Sequence, residues 1–260
     1  MKYKTILFRK ENGLAFITLH QPETMNALSG QMMDDLRAAL NHIDSDAEIR
    51  VVLLSGGDRC FAAGVDIREI EDIATPVDAR CYLKMAHALF NCLEELEKPV
   101  IAVIAGLALS GGFELALACD LRVAAENATF GQPEIKIGMI PGGGGTQRLP
   151  RVIGITKAKE LLYTGDHINA QEAYRLGLLN RVVAPALLMQ EARALALRIA
   201  AQPLEALKAV KLAVNGGRDM TMSLAMTYEA RCLEQLFATE DQKEGVLAFM
   251  EKRKPVFKNR

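Results

Sequence analysis

Apolar positions fall into two regimes along the chain. Up to about residue 183, short apolar blocks alternate with helical stripes; beyond it, only stripes at three- and four-residue spacing remain. Residues 5–8 and 14–19 are β-prone runs parted by Glu11-Asn12-Gly13, a hairpin signal. Ser29 then caps a predicted helix with Met32, Leu36, Leu40 and Ile43 on one stripe. Residues 51–54 and 100–105 are wholly apolar, as buried parallel strands are. Between them, residues 78–97 read as a helix stopped by Pro99, with Ala79, Leu83, Ala86, Phe90, Leu93 and Glu97 on one side. A glycine loop at 106–112 leads into a short helix at 112–118, a strand at 121–124 and an extended piece at 129–130. Residues 141–145 form an irregular glycine loop, followed by helices near 156–163 and 170–176 and a strand at 181–183. An amphipathic helix at 185–201 aligns Leu188, Ala192, Leu195 and Ile199. Helices at 203–214, 223–237 and 241–249 complete the chain. Alternating strands and helices followed by helices alone predict an α/β core over residues 1–195 and a helical extension over 196–260.

Composition narrows the function classes. The 260 residues are 50% hydrophobic and 24% charged, enough to bury a large core without disulfide or metal. Net charge is -1 and the basic residues are scattered, which argues against nucleic acid as the main partner and leaves an anionic small molecule open. Residues 1–10 lack the apolar core of a signal peptide, and no apolar run approaches the roughly 20 residues that span a bilayer. Five cysteines, an odd number without a C-x-x-C, read as reduced thiols in a cytoplasmic protein. The four histidines show no metal-ligand spacing, so no metal is expected.

Candidate chemistry concentrates between Gly106 and Arg148, where Glu114 and Glu134 sit among apolar and glycine residues. Gly111 precedes the short helix, so its N–H is free to face an oxyanion, and Glu114 falls in the first turn. The helix dipole lowers the Glu114 pKa while Phe113, Leu115 and Leu117 raise it. The structural alternatives are a dipole-stabilising first-turn glutamate at 114 and, at 134, a loop carboxylate paired with Lys136 or Arg148. Gly142 to Gly145 lacks the G-K-[ST] ending of a phosphate loop, and no G-x-G-x-x-G occurs there or near Gly106. Ser110 has no histidine nearby and no G-x-S-x-G around it, so it reads as a small packing residue.

Taken together, several stretches resemble the enoyl-CoA hydratase/isomerase (crotonase) family. They are Phe61-Ala62-Ala63-Gly64-Val65-Asp66-Ile67; Ala108 to Ala116 with Cys119-Asp120; Phe130-Gly131-Gln132-Pro133-Glu134; and Gly138 to Leu149. Gln21-Pro22, Met25-Asn26-Ala27-Leu28 and the closing 249–257 segment also fit. The resemblance implies a crotonase-like α/β spiral of β-β-α turns with a C-terminal helical trimerisation region, as a trimer or dimer of trimers. It implies an oxyanion hole from the N–H groups of Val65 and Gly111, with Glu114 and Glu134 as catalytic carboxyls. Ala63, Asp66, Ile67, Arg68 and Gly142 would line the CoA site, and Lys252 would approach CoA phosphates from a neighbouring subunit. No permanent cofactor is implied; a CoA thioester is the substrate. The joint presence of both glutamates favours hydration of a trans-2-enoyl-CoA over double-bond isomerisation or a non-catalytic acyl-CoA- or RNA-binding member of the fold. Three departures stand out: Val65 for the usual alanine, Arg68 for lysine, and Ser110-Gly111-Gly112 for three glycines. Phe113, bulkier than the usual residue there, bears on acyl-chain preference.

Overall fold

The computed structural model describes residues 3–259; Met1, Lys2 and Arg260, the first two belonging to the amino-terminal stretch read above, lie outside it. Strand β1 (Ile6–Glu11) turns back on β2 (Leu14–Leu19) through Asn12 and Gly13, both at positive φ, 52° and 76°. Helix α1 (Gly30–Ser45) starts at Ser29, whose hydroxyl accepts the Met32 N–H. Next come β3 (Val51–Ser55), β4 (Cys60–Ala62), α2 (Ile67–Glu71) and α3 (Pro76–Glu95). They are followed by β5 (Val100–Ile104), β6 (Leu107–Leu109) and α4 (Gly111–Ala118), then β7 (Leu121–Ala125), β8 (Thr129–Gly131) and a 3-10 turn at Pro133–Ile137. The chain continues through α5 (Gly145–Ile153), α6 (Ile155–Thr164), β9 (His167–Asn169), α7 (Ala170–Arg175) and β10 (Arg181–Val183). Helices α8 (Leu188–Ala200), α9 (Leu204–Gly217), α10 (Met222–Leu236) and α11 (Glu240–Met250) end it.

Strands come in pairs that split between two sheets. β3, β5 and β7 enter a six-stranded sheet of order β1-β2-β3-β5-β7-β10, while β4, β6 and β8, which follow them, enter a four-stranded sheet of order β4-β6-β8-β9. Each turn of the chain thus adds one strand to each sheet, which is the spiral that the sequence resemblance implies. Pairing along β2-β3-β5-β7-β10 and along β4-β6-β8 is parallel. β3, apolar up to its last residue, and the wholly apolar β5 are buried on both faces, as parallel strands between two layers must be. On one side, Met32, Leu36, Leu40, Leu89, Phe90 and Leu93 of α1 and α3 join the main core. On the other, Leu188, Ala192, Ala196 and Ala200 of α8 cover Leu53, Ile101 and Val103.

The structure departs from the sequence reading in a few places. β4, β6 and β9 carry three residues each, too few to show a period, and they exist because neighbouring strands pair with them. α5 goes beyond the sequence expectation because three glycines precede it, a fourth opens it and Pro150 lies inside it. α3 starts at Pro76, not 78, because Thr75 and Asp78 form a reciprocal capping box; it ends before Glu97. α4 starts at Gly111, one residue early.

Candidate active site

Three adjacent parallel strands deliver the site. Ala62 of β4 lies beside Ala108 of β6, and Leu109 of β6 beside Gly131 of β8. Their carboxyl ends run directly into Ala63–Val65, Ser110–Gly111 and Gln132–Glu134. Loops leaving the carboxyl ends of neighbouring parallel strands share one crevice, so residues far apart in sequence converge by register alone.

Val65 and Gly111 are neighbours. A Cβ built on Gly111 would lie 3.6 Å from Val65 N and 2.8 Å from Val65 Cγ1. Val65 is held by a parallel bridge to Leu28: Leu28 N–H donates to Gly64 O at 2.8 Å and Asp66 N–H to Leu28 O at 3.1 Å. Gly111 opens α4, where a first-turn N–H has no partner inside the helix. Among the described residues, no backbone acceptor is assigned to either N–H.

Glu114 stands in the first turn of α4 and is 3% exposed. Its Oε1 accepts the N–H groups of Gly143 at 2.8 Å and Gly145 at 2.7 Å. The 142–145 run is therefore a cradle for a carboxylate. Burial pushes the Glu114 carboxyl up to about 7, with the nearby Glu134 charge adding to the rise and the two N–H groups and Arg148 opposing it. Desolvation outweighs the opposing N–H groups and Arg148.

Glu134 is 8% exposed, at the start of the 3-10 turn after β8. Burial raises its pKa also, opposed by its own backbone N–H and by the Ser110 hydroxyl. The expected structural pairing with Lys136 or Arg148 does not form. Arg148 instead donates to Glu94 at 2.7 and 3.1 Å and to Gly143 O at 2.9 Å, bracing the cradle. Lys136 is exposed, its chain lying where a Cβ on Gly165 would touch it.

Gln132, 1% exposed, lies against the Glu134 carboxyl. With its amide nitrogen turned toward Glu134, it donates to Oε1 at 2.9 Å and Oε2 at 3.2 Å. The end of the same side chain stands 2.6 Å from where a Cβ on Gly145 would be, beside the N–H that holds Glu114. Sequence reasoning passed over Gln132; its place directly before Pro133-Glu134 was the available signal. It also missed Tyr82, on the inner stripe of α3 one turn before Ala86. The Tyr82 hydroxyl is buried without a hydrogen-bond partner among the described residues. Burial, and the charges of Glu69, Asp66 and Glu114, hold its proton on.

The other expected site residues are dispersed around this centre. Ala63 is half-buried and donates its N–H to Met25 O at 3.0 Å. Asp66 caps α2 and grips Arg68 through Nε at 2.9 Å and Nη2 at 2.6 Å, while Ile67 is exposed. Gly142 O meets His87 Nε2 of α3 at 2.7 Å. Lys252 follows α11 at φ 54°, exposed, and no hydrogen bond links it to the two glutamates. Phe113, next to Glu114, is fully buried with its ring 5.6 Å from that of Phe130.

The chemical parts are thus two buried carboxyls with raised pKa values, one of them held by the Gln132 amide, beside two adjacent N–H donors. Such a set suits proton transfer on both sides of a carbonyl compound whose oxygen gains charge.

Comparison with known proteins agrees with this chemistry. Residues 9–260 match the model of the family described as enoyl-CoA hydratase/isomerase. The chain is 43% identical to the crotonyl-CoA hydratase of Syntrophomonas wolfei, over 99% of both chains. It is 41% identical to the short-chain-enoyl-CoA hydratase of Clostridium acetobutylicum, over 100% of both. The crystal structure of an enoyl-CoA hydratase from Bacillus anthracis superposes with a TM-score of 0.95 at 38% identity, covering 99% of this chain and 100% of that one.

Proposed function

The chain belongs to the enoyl-CoA hydratase/isomerase family, and from that membership we propose how its own residues carry the reaction. It is an enoyl-CoA hydratase, a hydro-lyase, and in this reading it adds water reversibly and syn to a trans-2-enoyl-CoA to give a (3S)-3-hydroxyacyl-CoA. The thioester oxygen accepts from the N–H groups of Val65 and Gly111. Both donors strengthen as negative charge moves onto that oxygen, so they stabilise the transition state more than the ground state. Ionised Glu114, fixed by Gly143 and Gly145, takes a proton from the water attacking C3. Glu134, protonated, gives its proton to C2. Each turnover therefore leaves the proton on the other carboxyl, and exchange with solvent resets the pair. Burial is the main cause of the raised Glu114 pKa, and the Glu134 charge adds to it, so the two carboxyls are coupled.

Ala63, Asp66, Ile67, Arg68 and Gly142 bound the entry for the CoA moiety in this reading, with Lys252 supplied by a neighbouring subunit. No permanent cofactor is needed: the acid, the base and the oxyanion donors all come from the chain. Residues 196–260 serve as the oligomerising region of a homotrimer or a dimer of trimers. Its support is the apolar surface that α9 to α11 leave exposed, including Val210, Met222, Leu224, Phe237 and Phe249. No helix among the described residues is long and apolar enough to cross a membrane, and the five free thiols support a cytoplasmic site of action.

The single observation that supports this assignment of roles is the register of β4, β6 and β8, whose carboxyl ends lead side by side toward Val65, Gly111 and Glu134. A steady-state comparison of 2-enoyl-CoA and 3-enoyl-CoA as substrates tests it. Faster loss of the 2-enoyl thioester absorbance by water addition is expected; faster turnover of the 3-enoyl compound would assign an isomerase instead.

A further inference from the structure

A run of glycines is a soft support for a carboxylate that must keep one position. Gly142 to Gly145 carry no side chains to restrain them, and ordering glycine costs more backbone entropy than ordering any other residue. Yet two N–H groups of this run meet on Glu114 Oε1, from Gly143 at 2.8 Å and from Gly145 at 2.7 Å. What fixes the run lies outside it. The Arg148 guanidinium folds back from α5 over Gly144, whose φ is 108° and where a Cβ would overlap Nη1. Nη1 donates to Gly143 O at 2.9 Å, which pins the peptide between the two N–H groups that hold Glu114. The other edge of the fork grips α3: Nε and Nη2 donate to Glu94 Oε2 at 3.1 and 2.7 Å, and Nη2 to Asn91 Oδ1 at 3.3 Å. Both partners of this ion pair are largely shielded, with 11% of the Arg148 and 23% of the Glu94 side chain exposed. Glu94 is held in turn from α9, where Arg218 Nη2 lies 3.3 Å from its Oε1 and Asn215 Nδ2 donates to its carbonyl at 3.1 Å.

We propose that Arg148 is a positioning residue for Glu114: anchored on Glu94, it orders the glycine run whose two N–H groups hold the catalytic carboxylate. This rests on the role given to Glu114 above. Arg148 acts through the loop and exchanges no proton, since a guanidinium stays charged. Its planar fork reaches a carboxylate with one edge and a carbonyl with the other, which a lysine ammonium of the same charge does not reproduce. The positive charge also favours the ionised form of Glu114, the form that takes a proton from water. The contacts from Asn215 and Arg218 make α9, in the helical extension, part of the same anchor.

Full-length Arg148→Lys and Glu94→Gln, each made in the wild-type chain and in Glu114→Gln, test the proposal through crotonyl-CoA hydration. In the wild-type chain, Arg148→Lys is expected to lower kcat about tenfold and Glu94→Gln about threefold, with butyryl-CoA binding within about twofold of wild type. In Glu114→Gln, neither exchange is expected to lower kcat by more than about twofold, because the base they position is already gone. A merely structural brace would lower kcat by the same factor in both backgrounds, and that outcome overturns the proposal. So does wild-type kcat in folded Arg148→Lys. If Arg148→Lys does not fold, the same comparison on Glu94→Gln decides: a loss confined to the chain with Glu114 supports the proposal, and no loss or an equal loss in both overturns it. Glu114→Gln running at the wild-type rate would instead bring down the role of Glu114, and the positioning role with it.

Discussion

Gly145 and Glu114 are 31 positions apart in sequence, and the amide nitrogen of the first donates to Oε1 of the second at 2.7 Å. The same oxygen takes the Gly143 N–H. One carboxylate oxygen is thus fully occupied, and the other remains for water.

Crowding makes this cradle intolerant. A Cβ on Gly143 would meet Phe90 Cε2 at 2.2 Å and Glu114 Oε2 at 2.7 Å. Gly143→Ala is expected to push the loop off Glu114, lowering stability by about 1–3 kcal/mol and kcat by at least about tenfold. Denaturant titration and steady-state kinetics on the same sample check both.

The Glu114 pKa has a consequence for stability. Its folded value, about 7, lies above the ordinary 4.5. A raised pKa contributes stability that is fully present below 4.5 and lost as pH rises through 7. The loss amounts to about 3 kcal/mol at 1.36 kcal/mol per decade. Glu114→Gln escapes it. The variant is expected to gain stability relative to wild type between pH 5 and pH 8, by an amount approaching that figure. Urea unfolding at the two pH values measures the gap; an equal gap at both would mean the carboxyl is not held in a desolvating site.

Gly111 and Gly112 should fail in different ways. A Cβ on Gly112 would sit 2.3 Å from the Ala62 carbonyl oxygen, which cannot yield without moving β4. A Cβ on Gly111 meets a methyl of Val65 at 2.8 Å, beside the Val65 amide. Gly112→Ala is therefore expected to reduce soluble yield and melting temperature. Gly111→Ala is expected to fold and to lose about 10²–10³ in kcat, as when an oxyanion donor is displaced. Circular dichroism melts paired with crotonyl-CoA hydration distinguish the two.

How much of this was legible in the sequence depends on the kind of signal. Long periodic elements such as α1, α3 and the apolar β3 and β5 announce themselves, because burial dictates their spacing. Glu114 falls in the first turn of α4 as the sequence reads, while Gly111 opens that helix rather than preceding it. What periodicity did not reveal is the four-stranded sheet, whose strands β4, β6, β8 and β9 have three residues each and are defined by partners distant in sequence. That sheet assembles the crevice, so the convergence of Val65, Gly111 and Glu134 came from family resemblance. Gln132 and Tyr82 escaped notice because their importance lies in what surrounds them. Ser110, read as packing, does pack on Gly64.

The central claim is that two carboxyls divide one hydration between them. Crotonyl-CoA turnover by Glu114→Gln and Glu134→Gln, with binding of the saturated analogue butyryl-CoA measured on the same proteins, tests it most directly. The account predicts that each variant loses at least about 10²-fold in kcat while binding butyryl-CoA as wild type does. Wild-type turnover by Glu134→Gln, or by Glu114→Gln, would contradict it.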